Sequence, residues 1–395
     1  MPEGWAWCKI EEVAESNIGL TYKPEDVCSD GIPVLRSNNI KNRRICTDGL
    51  IRVKTHILPK QFIGKGDLLI CARNGSRNLV GKCALIEQDE EPMSFGAFMA
   101  VCRSAFNRWI FLILNSSYFN QYLDNSNSTA INQVTQSMLL SFNIPLPPKN
   151  EQARIYSMVE RLCSCVDELE KHEQVVLAKI NDSRKRILEL AIHGKLVPQD
   201  PTEEPAIELL KRINPAFEPS HNLHYEGVIP DGWQICKLSD LFKVTMGQSP
   251  DGTSLNRSTG IEFHQGKICF TEKYLSESDI FTTSATKCAE PNSLLCCVRA
   301  PVGVFNITSR RICIGRGLCS LSPLDADVDI EYWFYALSSL TEYYESMATG
   351  STFKAISGDI IRNTVIAVPP KMEQQRILEQ ITCLFSILKK ASDAI

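Results

Sequence analysis

The sequence predicts an α+β chain: two mixed, mostly β domains, each followed by a helix of coiled-coil character, arranged as a tandem repeat about a pseudo-twofold. Three observations predict it. Short motifs beginning at residues 2 and 147 recur at 230 and 369; short apolar runs punctuated by Gly, Pro and Asn fill the space between them; and the apolar period becomes a heptad after each Pro-Pro pair. With 395 residues, 44% hydrophobic and 22% charged, the chain is globular in balance and long enough for two or three domains of about 150 residues.

The repeat opens with Pro2-Glu3-Gly4-Trp5 and Pro230-Asp231-Gly232-Trp233, and five of the twelve aligned positions from Pro2 to Val13 are identical. The second block is stronger. Pro147-Pro148-Lys149-Asn150-Glu151-Gln152-Ala153-Arg154-Ile155 returns as Pro369-Pro370-Lys371-Met372-Glu373-Gln374-Gln375-Arg376-Ile377, and eight of sixteen positions match through Leu162 and Leu384. Two related frames therefore hold two divergent inserts. Strand-like runs in the inserts include Ile32 to Leu35, Asp67 to Ala72, Leu294 to Val298 and Ile312 to Ile314. Pro33 demotes the first of these to an edge strand.

After Pro148 the pattern predicts one helix from Glu151 to His193, roughly 65 Å long at 1.5 Å per residue, with Asn150 as N-cap and Gly194 and Pro198 as the stop. Ile155, Leu162, Leu169, Val176 and Leu190 share one heptad position, and Val159, Val166, Ile180 and Ile187 share the one four residues later. This is a coiled-coil seam. Ile377, Ile381, Leu384 and Leu388 open the same seam in the second repeat. Equivalent helices across a pseudo-twofold run head to tail, so the second helix is the expected antiparallel partner. Ile155, Leu162 and Leu169 are assigned to packing within the chain, and part of the longer helix is left over. The expected division is a first β domain over 1–149, a spacer helix over 150–196, a short helix and linker over 197–229, a second β domain over 230–371, and a shortened helix over 372–395.

Several classes of function are excluded on pattern. The longest apolar run, Trp109 to Leu114, is far below the roughly 20 residues of a membrane helix, and there is no signal segment, so a cytoplasmic location without membrane association is expected. The sixteen cysteines replace Val or Ala in apolar runs such as Leu294 to Val298 and show no C-x-x-C spacing, so reduced thiols and no metal are expected. Gly75 to Lys82 misses the phosphate-loop spacing by one residue, with Cys83 in place of the hydroxyl. No nucleophile elbow, kinase set or zinc-protease helix appears. His193 suits a helix C-terminus better than catalysis. No catalytic residue is assigned.

The net charge of −4 hides a segregation. From Arg36 to Lys82 eleven basic residues face only Asp48 and Asp67, and from Leu295 to Leu321 four arginines face no acid. Two basic patches of this kind attract a phosphate backbone.

The twin Trp openings, the twin Pro-Pro-Lys-x-Glu-Gln-x-Arg-Ile helix starts, and Ala191-Ile192-His193-Gly194-Lys195-Leu196-Val197-Pro198-Gln199-Asp200-Pro201 after the long helix resemble the specificity (S) subunit of type I restriction-modification enzymes. The likeness covers essentially the whole chain. The resemblance implies two target recognition domains separated by long antiparallel coiled-coil helices, each domain reading one half of a split, asymmetric double-stranded DNA target. It further implies two copies of a DNA adenine methyltransferase subunit on the conserved regions and restriction/translocase subunits in the larger complex. S-adenosylmethionine, Mg and ATP would then sit on those partners, and this chain would carry no cofactor and no catalysis. One departure stands out: the Gly-Lys-Leu-Val-Pro-Gln motif has no counterpart after the second helix.

Split-site reading needs phosphate contacts for register and Arg, Asn or Gln for base edges. In the first domain the candidates are Arg36, Asn38, Asn39, Lys41, Arg43, Arg44, Arg73, Asn74 and Arg77. In the second they are Gln248, Ser249, Arg257, Gln265, Lys267, Arg299, Arg310, Arg311 and Arg316. Lys354, with Ser351, Thr352 and Phe353, aligns to Thr129 through Asn132 just before each frame closes. Ordinary polar turns at strand ends are the alternative for each cluster, and a coiled-coil protein scaffold without DNA reading is the alternative for the chain. Partner docking is expected on the outer helix faces and around Trp5 and Trp233.

Overall fold

The computed structural model describes residues 1–87, 91–126, 133–219, 225, 228–350 and 354–395. The chain divides into two units, Met1–Leu169 and Glu170–Ile395, with the boundary inside one continuous helix, Lys149–Ile192.

In the first unit a four-stranded antiparallel sheet has the order Cys83–Leu85, Leu68–Cys71, Met99–Arg103, Glu15–Ile18. A five-stranded sheet has the order Val27–Cys28, Ile51–Val53, Ile32–Leu35, Met93–Phe95, Phe62–Ile63, with Ile32–Leu35 and Met93–Phe95 parallel. The second unit repeats both sheets strand for strand. Its four-stranded sheet runs Phe305–Thr308, Ser293–Cys297, Leu318–Pro323, Phe242–Met246. Its five-stranded sheet runs Leu255–Asn256, Phe281–Thr282, Ile261–His264, Ile312–Ile314, Cys288–Ala289, again with one parallel pair in the third and fourth places. The divergent inserts thus share one topology. Leu68–Cys71 and Ser293–Cys297 are buried along their whole length, so they read as continuous apolar runs rather than alternating ones.

Pro33 lies in an interior strand, not an edge strand as its sequence suggests. The parallel ladder to Met93–Phe95 begins only at Val34, and Pro33 is matched on one side alone, to Arg52. The missing N–H is therefore needed by one ladder at most. All sixteen cysteines are unpaired, and burial pushes the Cys71 thiol up to about 11 and those of Cys83, Cys102 and Cys297 up to about 12. These are core thiols kept protonated.

Each insert is closed by the same clasp. Ala6–Lys9 pairs antiparallel with Asn143–Leu146, and Gln234–Lys237 pairs with Val365–Val368 in the same register. Gly4 and Gly232 both take φ of +81°, the left-handed turn that the Pro-x-Gly-Trp motif needs glycine for. Trp5 Nε1 then donates to Glu151 Oε2 at 3.2 Å, and Trp233 Nε1 to Glu373 Oε2 at 3.0 Å. The glutamine that follows each glutamate folds back on the Pro-Pro pair, Gln152 Nε2 to Pro147 O at 2.7 Å and Gln374 Nε2 to Pro369 O at 2.9 Å. These bonds explain the spacing of the motif. Asn150 is inside the first turn rather than capping it, because the Pro148 carbonyl already accepts from the Glu151 and Gln152 amides. Trp233 is buried in the core cluster of the second unit and is not free for a partner, contrary to the sequence expectation.

The helix Lys149–Ile192 has 44 residues and spans about 66 Å at 1.5 Å per residue. It ends in a Schellman turn, with Lys195 N donating to Leu190 O at 2.8 Å, Gly194 N to Ala191 O at 3.2 Å, and Gly194 at φ +63°. Of the seam residues, Ile180 is buried, and Ile155, Val159, Ile187 and Leu190 are half-buried. Leu162, Val166, Leu169 and Val176 are instead 40–67% exposed. The assignment of Leu162 and Leu169 to packing within the chain is corrected accordingly. A heptad period marks the apolar face of a helix and does not say what covers it. In the second helix, Lys371–Asp393, Ile377 and Ile381 are buried in the core of the second unit, whereas Leu384 and Leu388 are half-buried. Arg184 of the long helix stacks over Phe385 at 5.5 Å.

Glu373 is buried, takes two side-chain donors, Trp233 and Gln199, and is held above the usual carboxylate range by burial. Glu373→Ala leaves both donors unpaired and should cost about 1–3 kcal/mol in urea unfolding of the full chain. Glu151→Ala, at the more exposed clasp, should cost less. Equal losses would contradict this assignment.

Candidate nucleic-acid interface

Two clusters of the first domain, 37 residues apart, meet in one cleft. Leu35 ends the central strand and Arg36 to Asn38 continue from it; Cys71 ends the buried strand and Arg73 and Asn74 follow. Asn74 Nδ2 donates to Ser37 Oγ at 3.0 Å and locks the two loops together. The cleft holds about 1030 Å³ and is lined by Tyr22, Arg36, Asn38, Arg73, Asn74 and Phe98. Neither Arg36 nor Arg73 has an ion-pair partner among the described residues. Arg36 Nε is buried without an acceptor, and the Arg73 guanidinium lies over the Phe98 ring at 5.7 Å. A cationic, donor-rich recess with an aromatic wall suits phosphate and base edges together.

The second domain builds the same place on the same backbone bonds. Gly96 N to Leu35 O, Ala72 N to Phe98 O and Leu20 N to Phe95 O have as equivalents Gly315 N to His264 O, Val298 N to Gly317 O and Gln248 N to Ile314 O. Position by position, Arg36 corresponds to Gln265, Asn38 to Lys267, Arg73 to Arg299, Ala97 to Arg316, Phe98 to Gly317 and Leu20 to Gln248. Gln248, Gln265, Lys267, Arg299 and Arg316 are all exposed, and Ser249 Oγ accepts from Arg316 N at 3.4 Å. Lys354 is exposed and joins this set, its carbonyl accepting from Ala300 N beside Arg299.

Other candidates are placed elsewhere or are already occupied. Asn39 is buried and structural: its Oδ1 accepts from Arg36 N, and its Nδ2 donates to the carbonyls of Cys46 and Asp48. Lys41 pairs with Asp48, Arg77 with Asp124 at 2.7 Å, and Arg311 with Glu290. Arg43 and Arg44 belong to a tight hairpin whose tip, Asn42-Arg43, has positive φ at both residues. They line a separate recess of about 550 Å³ with Phe111, Tyr156 and Glu160. Arg257 stands exposed after the outermost strand, Leu255–Asn256. Thr129 to Asn132 and Ser351 to Phe353 lie outside the described residues. Phe98, 63% exposed, was not signalled by charge or amide content. Its Gly96-Ala97-Phe98 turn between two apolar runs is the cue that a composition count passes over.

Arg310 is a structural cation, not a free reader. Its Nε and Nη2 hold Glu262 at 2.6 and 2.7 Å, and its remaining donors reach the carbonyls of Leu275 and Ser276. Burial pushes the Glu262 carboxyl up, but Arg310, the Ser278 amide and His264 outweigh it and hold the group at about 2. Because this folded value lies below the ordinary 4.5, the pair stabilises the fold above about pH 4.5, and that contribution is lost as the pH falls from there towards 2. Arg310→Ala should therefore raise the midpoint of acid unfolding, followed by circular dichroism. Coincident acid transitions for wild type and variant would remove the structural role given to Arg310.

Among the described residues no group of three or more His, Cys, Asp or Glu side chains is placed to hold a metal ion, and no helix is long and apolar enough to cross a membrane. The family described as type I restriction modification DNA specificity domain matches residues 2–179 and 230–395. A chain of Methanocaldococcus jannaschii that carries the MjaX specificity-subunit name is 28% identical, the match covering 100% of this chain and 91% of that one. The EcoKI specificity subunit of Escherichia coli K12 is 26% identical, covering 98% and 83%. Among solved structures, a chain from work on complex assembly and conformational transition of the type I R-M system superimposes with a TM-score of 0.73 at 24% identity, covering 100% of this chain and 93% of that one. The HsdS subunit of Thermoanaerobacter tengcongensis gives 0.57 at 24% identity, covering 100% and 92%. The twice-matched frame, the twin sheets and the full-length relatives together place this chain in the family of type I restriction-modification DNA specificity subunits.

Proposed function

We propose that the chain is a noncatalytic reader of a bipartite, asymmetric double-stranded DNA target, each domain taking one half through the recess described above. One observation carries this reading: a shared backbone presents Arg36, Asn38, Leu20 and Phe98 in one copy and Gln265, Lys267, Gln248 and Gly317 in the other. Different donor sets at equivalent positions select different base pairs. Arg73 and Arg299 are retained in both copies and serve the common element, the phosphate backbone. Two copies of a DNA adenine methyltransferase subunit dock on the repeated frames, and restriction/translocase subunits complete a larger cytoplasmic assembly. S-adenosylmethionine, Mg and ATP belong to those partners. Arg257 and Lys354, both exposed in the second domain, add phosphate contacts there.

Exchanging residues 14–140 for another insert of this kind should change one half of the target only. Sequencing of modified bases in cells expressing the chain with its methyltransferase reads this directly, and a change in both halves would end the modular reading. For single residues, Arg73→Ala should weaken DNA binding similarly on all sequences and reduce the steepness of log K against log salt by about one. Gln265→Ala should cost about 1–3 kcal/mol on the cognate half-site and relax choice there.

A further inference from the structure

The turn at the lip of the reading recess has the same backbone in both domains and opposite side chains. Met99 N donates to Gly96 O at 2.8 Å in the first domain, and Leu318 N to Gly315 O at 3.0 Å in the second. Between these ends stand Ala97 and Phe98 in one copy and Arg316 and Gly317 in the other. Arg316 is exposed and cationic, as a loop tip facing DNA should be. Phe98 is exposed and apolar.

A lone exposed phenylalanine is ordinary on a protein surface, but the placement of this one is not. Its carbonyl accepts from Ala72 N at 2.9 Å and from Arg73 N at 3.0 Å, so the backbone that carries the ring is fixed. The ring walls both the cleft of Arg36, Asn38 and Arg73 and a neighbouring recess of about 250 Å³ that includes Ile18 and Gln133. It forms a ridge between two hollows. Among the described residues it belongs to none of the apolar cores of its unit. The Arg73 guanidinium lies over one face at 5.7 Å, which leaves the edge and the other face open. A side chain that inserts between base pairs needs both faces bare, so this ring is built for contact on one side.

We infer that Phe98 is a specificity-determining residue that packs on the 5-methyl group of a thymine in the half-site read by the first domain. The inference rests on the DNA reading proposed above. The thymine methyl is the apolar group that base pairs show in the major groove, and phenylalanine is among the side chains that meet it. Arg73 beside the ring then reaches the adjacent phosphate, which leaves Arg36 and Asn38 to bond base edges. The second domain has no side chain at Gly317, and Arg316 before it is a donor suited to guanine. One turn therefore selects a methyl group in one half-site and acceptors in the other.

The test uses the full chain with its methyltransferase and duplexes bearing the target found by modified-base sequencing. Each thymine of the first domain's half, on either strand, is replaced singly by deoxyuridine, which removes the methyl group and nothing else. At one thymine, binding followed by competition anisotropy should weaken about fourfold, which at about 1.4 kcal/mol per tenfold is the roughly 0.8 kcal/mol of one buried methyl group. Phe98→Ala should bind the thymine and deoxyuridine duplexes equally, and Phe98→Leu should restore part of the difference. Preference for the half read by the second domain is the fold control, since a misfolded chain would lose that as well. A half-site without thymine, deoxyuridine tolerated at every position, or a penalty that persists in Phe98→Ala would overturn the inference. In those cases a wild-type preference for target over scrambled duplex would leave the DNA reading standing; loss of that preference would end both.

Discussion

The structure depends on one hydrogen bond made twice: an indole N–H delivered by a Pro-x-Gly-Trp turn to a glutamate in the first turn of a helix. The bond joins residues 146 apart in the first repeat and 140 apart in the second. It fastens the beginning of each insert to its end, and the paired end strands and the glutamine bond to the Pro-Pro carbonyl secure the same junction. The carboxylate is also well placed electrostatically, since the first turn of a helix favours negative charge. With both ends held, the chain between them keeps its topology while its loops change, because loop positions carry few of the buried contacts that define the sheets.

That constraint explains which parts of the fold were legible. The clasp motifs are read directly, since their residue types are fixed by geometry: glycine at a φ of +81°, tryptophan as a donor, glutamate as its acceptor. The four-stranded sheets are legible as apolar runs, and the Ile312–Ile314 strand has the bounds the sequence suggests. Strand order is not legible. Pro33 reads as an edge residue because local sequence cannot show that the neighbouring ladder begins one residue later. The common topology of the two inserts was likewise hidden, since it rests on backbone bonds such as those of Gly96 and Gly315, which side-chain identity does not encode.

The reading surface was legible as chemistry but not as membership. Charge counting finds cations without their partners, and partners distant in sequence decide availability. Arg310 is consumed by Glu262, 48 residues earlier, and Arg77 by Asp124, 47 residues later. Arg36 and Arg73, equally unremarkable in sequence, have no ion-pair partner among the described residues, and the loops that carry them are tied by Asn74 and Ser37 rather than by acids. Asn39 shows the converse, an amide whose oxygen and both N–H donors are engaged by its own turn. Recognition residues are thus those that the fold declines to use, which composition alone cannot sort.

The heptad stripe carries the same lesson for apolar groups. Ile155 and Ile377 have the same motif position and the same period, yet one is half-buried and the other fully buried. In the second unit the segment Gly194–Phe217 shares the core that buries Ile377. Burial at these positions is therefore a property of what is laid over the frame, not of the frame itself. An apolar helix face in water carries a cost of about 25 cal/mol for each Å² left uncovered. Leu162, Val166 and Leu169 are 52–67% exposed, so the heptad stripe of the long helix is covered over only part of its length among the described residues. A copied heptad period thus fixes where a helix can bury apolar surface, and the segment packed on it decides where it does.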